Sequence, residues 1–146
     1  METWILYGVI AALLFGTYVV VSKVVTSEKY FGLNIHAAVF LMLIGIAIVF
    51  LLYSFSGGVP KLANNPTTLA LAILAGVLWA AGMIITYIAL NSGADVTRLT
   101  PVYNTNTLVA VTLGIILLGE LPGSTEKIKV IVGAILIVIG GILVSV

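Results

Sequence analysis

Five runs of about twenty apolar residues, parted by short polar breaks, organise the whole chain. They cover roughly 4–25, 34–55, 67–90, 96–118 and 126–146, and each has the length a helix needs to cross a hydrocarbon layer. The breaks carry turn chemistry: Ser56-Gly57-Gly58-Val59-Pro60 and Asn64-Asn65-Pro66 bracket one loop, and Leu121-Pro122-Gly123-Ser124 makes another. Asn91-Ser92-Gly93-Ala94-Asp95 predicts a glycine closing the third run and Asp95 capping the fourth. Aromatic residues (Trp4, Tyr7, Tyr30, Phe31, Tyr53 and Phe55) fall near run ends, where interfacial belts lie. The pattern predicts an all-α membrane protein, with residues 1–146 forming a single domain of five transmembrane helices.

Composition supports that class and removes others. Of 146 residues, 62% are apolar and 8% charged, too few charges to cover a soluble surface. The absence of cysteine excludes disulfides, thiol chemistry and thiolate metal sites, and a single histidine, His36, excludes a two-histidine site. The five carboxylates (Glu2, Glu28, Asp95, Glu120 and Glu126) fall at run ends or in loops. No intramembrane carboxylate is therefore offered as a proton or cation carrier. We expect no enzyme, no cofactor and no metal; a net charge of +1 offers nucleic acid no basic patch. The N-terminus lacks the basic region of a signal peptide, and the apolar run behind it has full spanning length.

With five spans the two termini face opposite sides. Lys61, Lys127 and Lys129 then share one side, and Lys23, Lys29 and Arg98 the other. Three against three gives no preferred orientation. Chance in a small sample explains this. So does dual topology, with copies inserted both ways and paired as an antiparallel homodimer, the unfused form of the inverted repeats common in transporters.

Helical periodicity sorts the residues inside the runs. Gly8, Ala12 and Gly16 form a small-residue ridge on span one, and Gly133 with Ala134 and Gly140 with Gly141 recur on span five; both read as packing surfaces. Tyr18 and Ser22 share a stripe on span one, and Trp79, Gly82, Met83 and Thr86 share one on span three. Trp79 lies mid-span, so its indole N–H needs an inward partner. Thr97, Thr100, Asn104 and Thr107 form a polar stripe on span four, while Asn106 falls on the opposite face toward a neighbouring helix. Pro101 deprives the Thr97 carbonyl of its amide and should kink that span. These stripes either line a central cavity or join helices by hydrogen bonds. Lys23 and Arg98, the deepest cations, either snorkel to the interface or face an anionic group at a cavity mouth.

"FGTYVVVSK" at 15–23 resembles the first-helix signature of EamA-type domains in the drug/metabolite transporter superfamily, often written W-G-S-x-F-V-x-S-K. "ALNSGADVTRLTPVYNTNTLVAVTLGIILLGE" at 89–120 resembles that family's third-to-fourth helix turn, with a mid-span proline and a closing Leu-Leu-Gly-Glu. "IKVIVGAILIVIGGILVSV" resembles its last helix. The three stand in order over nearly the whole chain, although Phe15 replaces the usual tryptophan.

The resemblance implies one five-helix repeat where most members fuse two in inverted orientation. It therefore implies an antiparallel homodimer or pairing with another five-span chain. It also implies a transporter of a small organic metabolite, by alternating access around a midplane cavity between spans 1, 3 and 4, in the cell (cytoplasmic) membrane. Tyr18, Ser22, Trp79, Thr86, Thr100, Asn104 and Thr107 are the expected cavity residues, with Gly82 and Pro101 as points of flexing. The alternative from another class is a non-transporting membrane scaffold or auxiliary subunit.

Overall fold

The computed structural model describes residues 3–60, 65–119 and 123–145, without the side chains of Trp4, of residues 124–127 and of Ser145. The aromatic-belt assignment of Trp4, the placements of Glu2, Lys61, Asn64, Glu120, Leu121, Pro122, Glu126 and Lys127, and the chain's last residue lie outside that description. The described chain is helical: α1 (Thr3–Thr26), α2 (Ile35–Phe55), α3 (Pro66–Asn91), α4 (Val96–Tyr103), α5 (Asn106–Leu117) and α6 (Ser124–Ser145). Four stretches are long and apolar enough to cross a membrane: Ile5–Thr26, Ile35–Phe55, Pro66–Asn91 and Val96–Leu117. A fifth apolar stretch, Ile128–Val144, is shorter.

Two compact units divide the chain, Met1–Gly93 and Ala94–Val146. In the first, α1 packs on α3 and α2 touches both. Its buried side chains are Val19, Ser22 and Thr26 of α1, Ala38 of α2, and Tyr87 and Leu90 of α3. The spacings 19/22/26 and 87/90 each place one helical face in the seam. Three of the six (Ser22, Thr26 and Tyr87) carry hydroxyls, while leucines such as Leu13 and Leu52 stand about 70% exposed (67% and 70%). That inversion suits a protein whose surroundings are lipid, where small and polar residues hold helices together.

Local signals set the helix ends. The Asn34 carboxamide oxygen accepts from the His36 amide, and the Asn65 oxygen accepts from that of Thr67, both at 2.9 Å, ahead of Pro66 in the first turn of α3. The turn after α1 closes on itself. Phe31 N–H donates to Val24 C=O and Leu33 N–H to Val25 C=O, while Gly32, at φ +59°, donates to Ser27 C=O. These bonds answer carbonyls that a helix C-terminus would leave unmet at the membrane edge. Gly93 takes φ +100° after α3, as its place in the sequence suggests. Asp95 occupies the N-cap position of α4, but its side chain makes no capping bond; its backbone carbonyl accepts from Arg98 and Leu99.

The second unit adds an interruption to the fourth span. The helix ends at Tyr103 and restarts at Asn106, so the interruption falls at Asn104–Thr105, after Pro101 rather than at it. Around it the backbone tightens: Thr105 N–H donates to Val102 C=O, Thr107 N–H to Asn104 C=O and Leu108 N–H to Thr105 C=O. Each is a three-residue step, the 3₁₀ pattern common at helix ends. The Thr105 hydroxyl adds a 2.6 Å bond to the Val102 carbonyl. Asn104 and Asn106 therefore sit at the end of one helix and the start of the next.

Helix α6 packs on both α4 and α5. A Cβ built on Gly141 would lie 3.0 Å from the Pro101 carbonyl oxygen and 3.4 Å from Thr105 Cγ2, whereas Gly133 and Gly140 meet nothing within 4 Å. With Ala134 buried one heptad earlier, Ala134 and Gly141 mark the face of α6 that meets its neighbours. Gly8 and Gly16 likewise meet nothing within 4 Å, and Ala12 is exposed, so within this chain that ridge of α1 stays open.

Candidate functional site

Inside the first unit, α1, α2 and α3 enclose a groove of about 720 Å³. This falls within the roughly 300–1,000 Å³ typical of small-molecule sites. Each helix contributes one face: Phe15, Tyr18 and Ser22 from α1, Met42 and Phe50 from α2, and Trp79, Met83 and Tyr87 from α3. The walls are almost wholly apolar. Trp79 stands halfway along α3, 39% exposed, and its indole makes no hydrogen bond among the described residues.

Hydroxyls line one end. The Ser22 hydroxyl bonds the Tyr18 carbonyl at 2.8 Å and the Tyr87 hydroxyl at 3.2 Å, and Ser22 is only 2% exposed. Having one proton, Ser22 gives it to the carbonyl and accepts from the phenol. The Tyr18 and Tyr87 rings meet edge to face, centroids 6.2 Å apart at 66°. One turn on, Thr26 donates to the Ser22 carbonyl at 2.9 Å, and the Lys23 ammonium donates to the Leu90 carbonyl at 2.9 Å. Lys23 thus places its charge on the C-terminal end of α3, where a helix favours a cation.

Of the expected cavity residues, the structure brings Tyr18, Ser22 and Trp79 together in this groove. Thr86 does not line it; its hydroxyl turns back to the Gly82 carbonyl at 3.0 Å, tying that glycine into the helix. Thr100, Asn104 and Thr107 belong to the second unit. There the Thr100 hydroxyl is shut from solvent with no hydrogen-bond partner among the described residues, and Asn104, Asn106 and Arg98 are exposed.

Two parts of the groove escaped sequence reasoning. Tyr87 lies two turns beyond Trp79 on the same face, a spacing that would have found it. The α2 wall had no such signal, since a search for polar groups cannot see an apolar surface.

Residues 2–146 match the EamA-like transporter family. A Listeria monocytogenes protein provisionally named for sugar uptake is 33% identical over 129 residues, 88% of this chain and 43% of its own length. A Listeria innocua protein with the same kind of name is 32% identical over the same shares. The chain thus spans less than half the length of these curated relatives. No solved structure matches it. A multi-pass set of apolar helices, the three motifs in order and a family match from end to end agree, and the chain belongs to the EamA-like transporter family.

Proposed function

We propose that the chain carries a small neutral metabolite, with sugars the first class to test, across the cell membrane by alternating access around a midplane cavity between spans 1, 3 and 4 of two inverted protomers. The observation that carries this reading is the α1–α3 groove, with Trp79 at mid-helix depth and no charged side chain on its walls. A charged solute would have no partner there, and unpaired charge in hydrocarbon is costly. Aromatic faces with a few hydrogen-bonding groups suit a sugar ring, which alternates C–H surface with hydroxyls. The names of the two Listeria relatives point the same way.

The test is uptake of labelled glucose, with a labelled neutral amino acid in parallel, into proteoliposomes. Trp79→Ala and Asn104→Ala should each lower initial uptake about tenfold, the equivalent of one lost hydrogen bond or wall contact of ~1.4 kcal/mol, while the protein stays folded. Full uptake in both variants would remove these residues from the path. No flux of any solute, with assembly lost in both, would favour the scaffold.

The inverted dimer has its own test. A C-terminal tag should react with impermeant reagent from both sides of the membrane; reaction from one side alone sinks dual topology.

A further inference from the structure

We propose that Lys23, through its bond to the Leu90 carbonyl, and the Ser22–Tyr87 hydroxyl pair form a latch that holds one end of the α1–α3 seam shut. Opening this latch is the step that lets solute past that end. The proposal rests on the transport reading above for its purpose, though not for its geometry.

Three observations combine. First, buried packing in the first unit gathers at one end. Val19, Ser22, Thr26, Ala38, Tyr87 and Leu90 all lie in the last turns of α1 and α3 or the first turn of α2, while residues 70–82 of α3 are exposed throughout. Second, beside the buried Val19 and Leu90, α1 and α3 are joined there by polar and reversible contacts: an ammonium–carbonyl bond of 2.9 Å, a hydroxyl pair at 3.2 Å and an edge-to-face ring contact. Third, the groove runs up to this closure, since Ser22, Ala38 and Tyr87 are both its lining and the buried plug.

The choice of a lysine fits a contact made to be broken. Bound, its charge meets the C-terminal carbonyls of α3, where the helix dipole favours it. Released, its long stem can carry the ammonium to the membrane surface and water. Neither state strands a charge in oil, so the difference between them is small, as a two-state element requires. A seam closed by interdigitated leucines would have no such second state.

The chain contains no cysteine, so one introduced thiol reports alone. Ala38, 3% exposed and on the groove wall at the closed end, is the reporter position, as Ala38→Cys. The readout is its labelling rate by a membrane-impermeant maleimide in proteoliposomes, with thermal unfolding followed in parallel. Adding Lys23→Met should raise the rate about tenfold, as expected for losing one charge-assisted hydrogen bond from the closed state. Lys23→Arg, which keeps a donor, should stay slow.

Should the methionine variant fail to fold, Tyr87→Phe, which keeps the ring and removes only the hydroxyl, carries the same test with a smaller rise. Unchanged slow labelling in folded Lys23→Met or Tyr87→Phe, with only the melting temperature lowered, makes Lys23 a static helix cap and overturns the latch. Faster labelling without uptake of any solute upholds the latch and removes the transport reading instead.

Discussion

Tyr87→Ala is expected to destabilise the first unit by about 2–3 kcal/mol, against about 1 kcal/mol for Tyr87→Phe. Tyr87 is 5% exposed, packs edge to face on Tyr18 and bonds Ser22, so truncation opens a void at the closed end of the seam. In a soluble core, aromatic truncation costs about 3–5 kcal/mol, part of it from transfer to water. In a bilayer that transfer part shrinks, because lipid tails are as apolar as the protein interior, but lost contacts and the unfilled space remain. Removing the hydroxyl alone leaves Ser22 still satisfied by the Tyr18 carbonyl, hence the smaller figure. Reversible unfolding in mixed micelles measures both. Equal losses would mean that the hydroxyl, not the ring, carries the contact.

Gly141→Leu is expected to push α6 off α4 at a cost of about 1–3 kcal/mol, the range for overpacking a closely fitted contact. Its Cβ would meet the Pro101 carbonyl oxygen at 3.0 Å, and that atom belongs to backbone and cannot rotate away. A Cβ at Gly140 would meet nothing within 4 Å, so the same substitution there should leave α6 docked. Hydrogen exchange of the Asn104–Asn106 amides discriminates, since that interruption lies against α6 through Thr105. Faster exchange belongs to Gly141→Leu alone. An equal response from Gly140→Leu would show that α6 holds the break by some other face.

These two sites also show how far sequence reasoning reaches. That α6 packs through small residues follows from its composition; which of two adjacent glycines touches a neighbour depends on the rotation of α6 against α4, and no local rule sets that angle. Proline at 101 guarantees one missing amide, yet the helix is broken at Asn104–Thr105, where the Thr105 hydroxyl supports the tighter turn. For Lys23, snorkelling and a cavity mouth were both open. The Leu90 carbonyl takes it because the ends of α1 and α3 meet there.

What the sequence by itself determined is local. Apolar runs of spanning length and a glycine closing the third run place the ends of α1, α2 and α3 within about a residue or two, because backbone groups in lipid must be met within their own segment. Motif order brought the family with it. The tertiary structure alone decided which faces close on one another: an apolar α2 wall, the pairing of the Ser22 and Tyr87 hydroxyls, a lysine spent on a helix end. Those choices depend on contacts between helices distant in sequence. Lipid, which treats every apolar face alike, leaves no mark in the hydrophobic pattern to announce them.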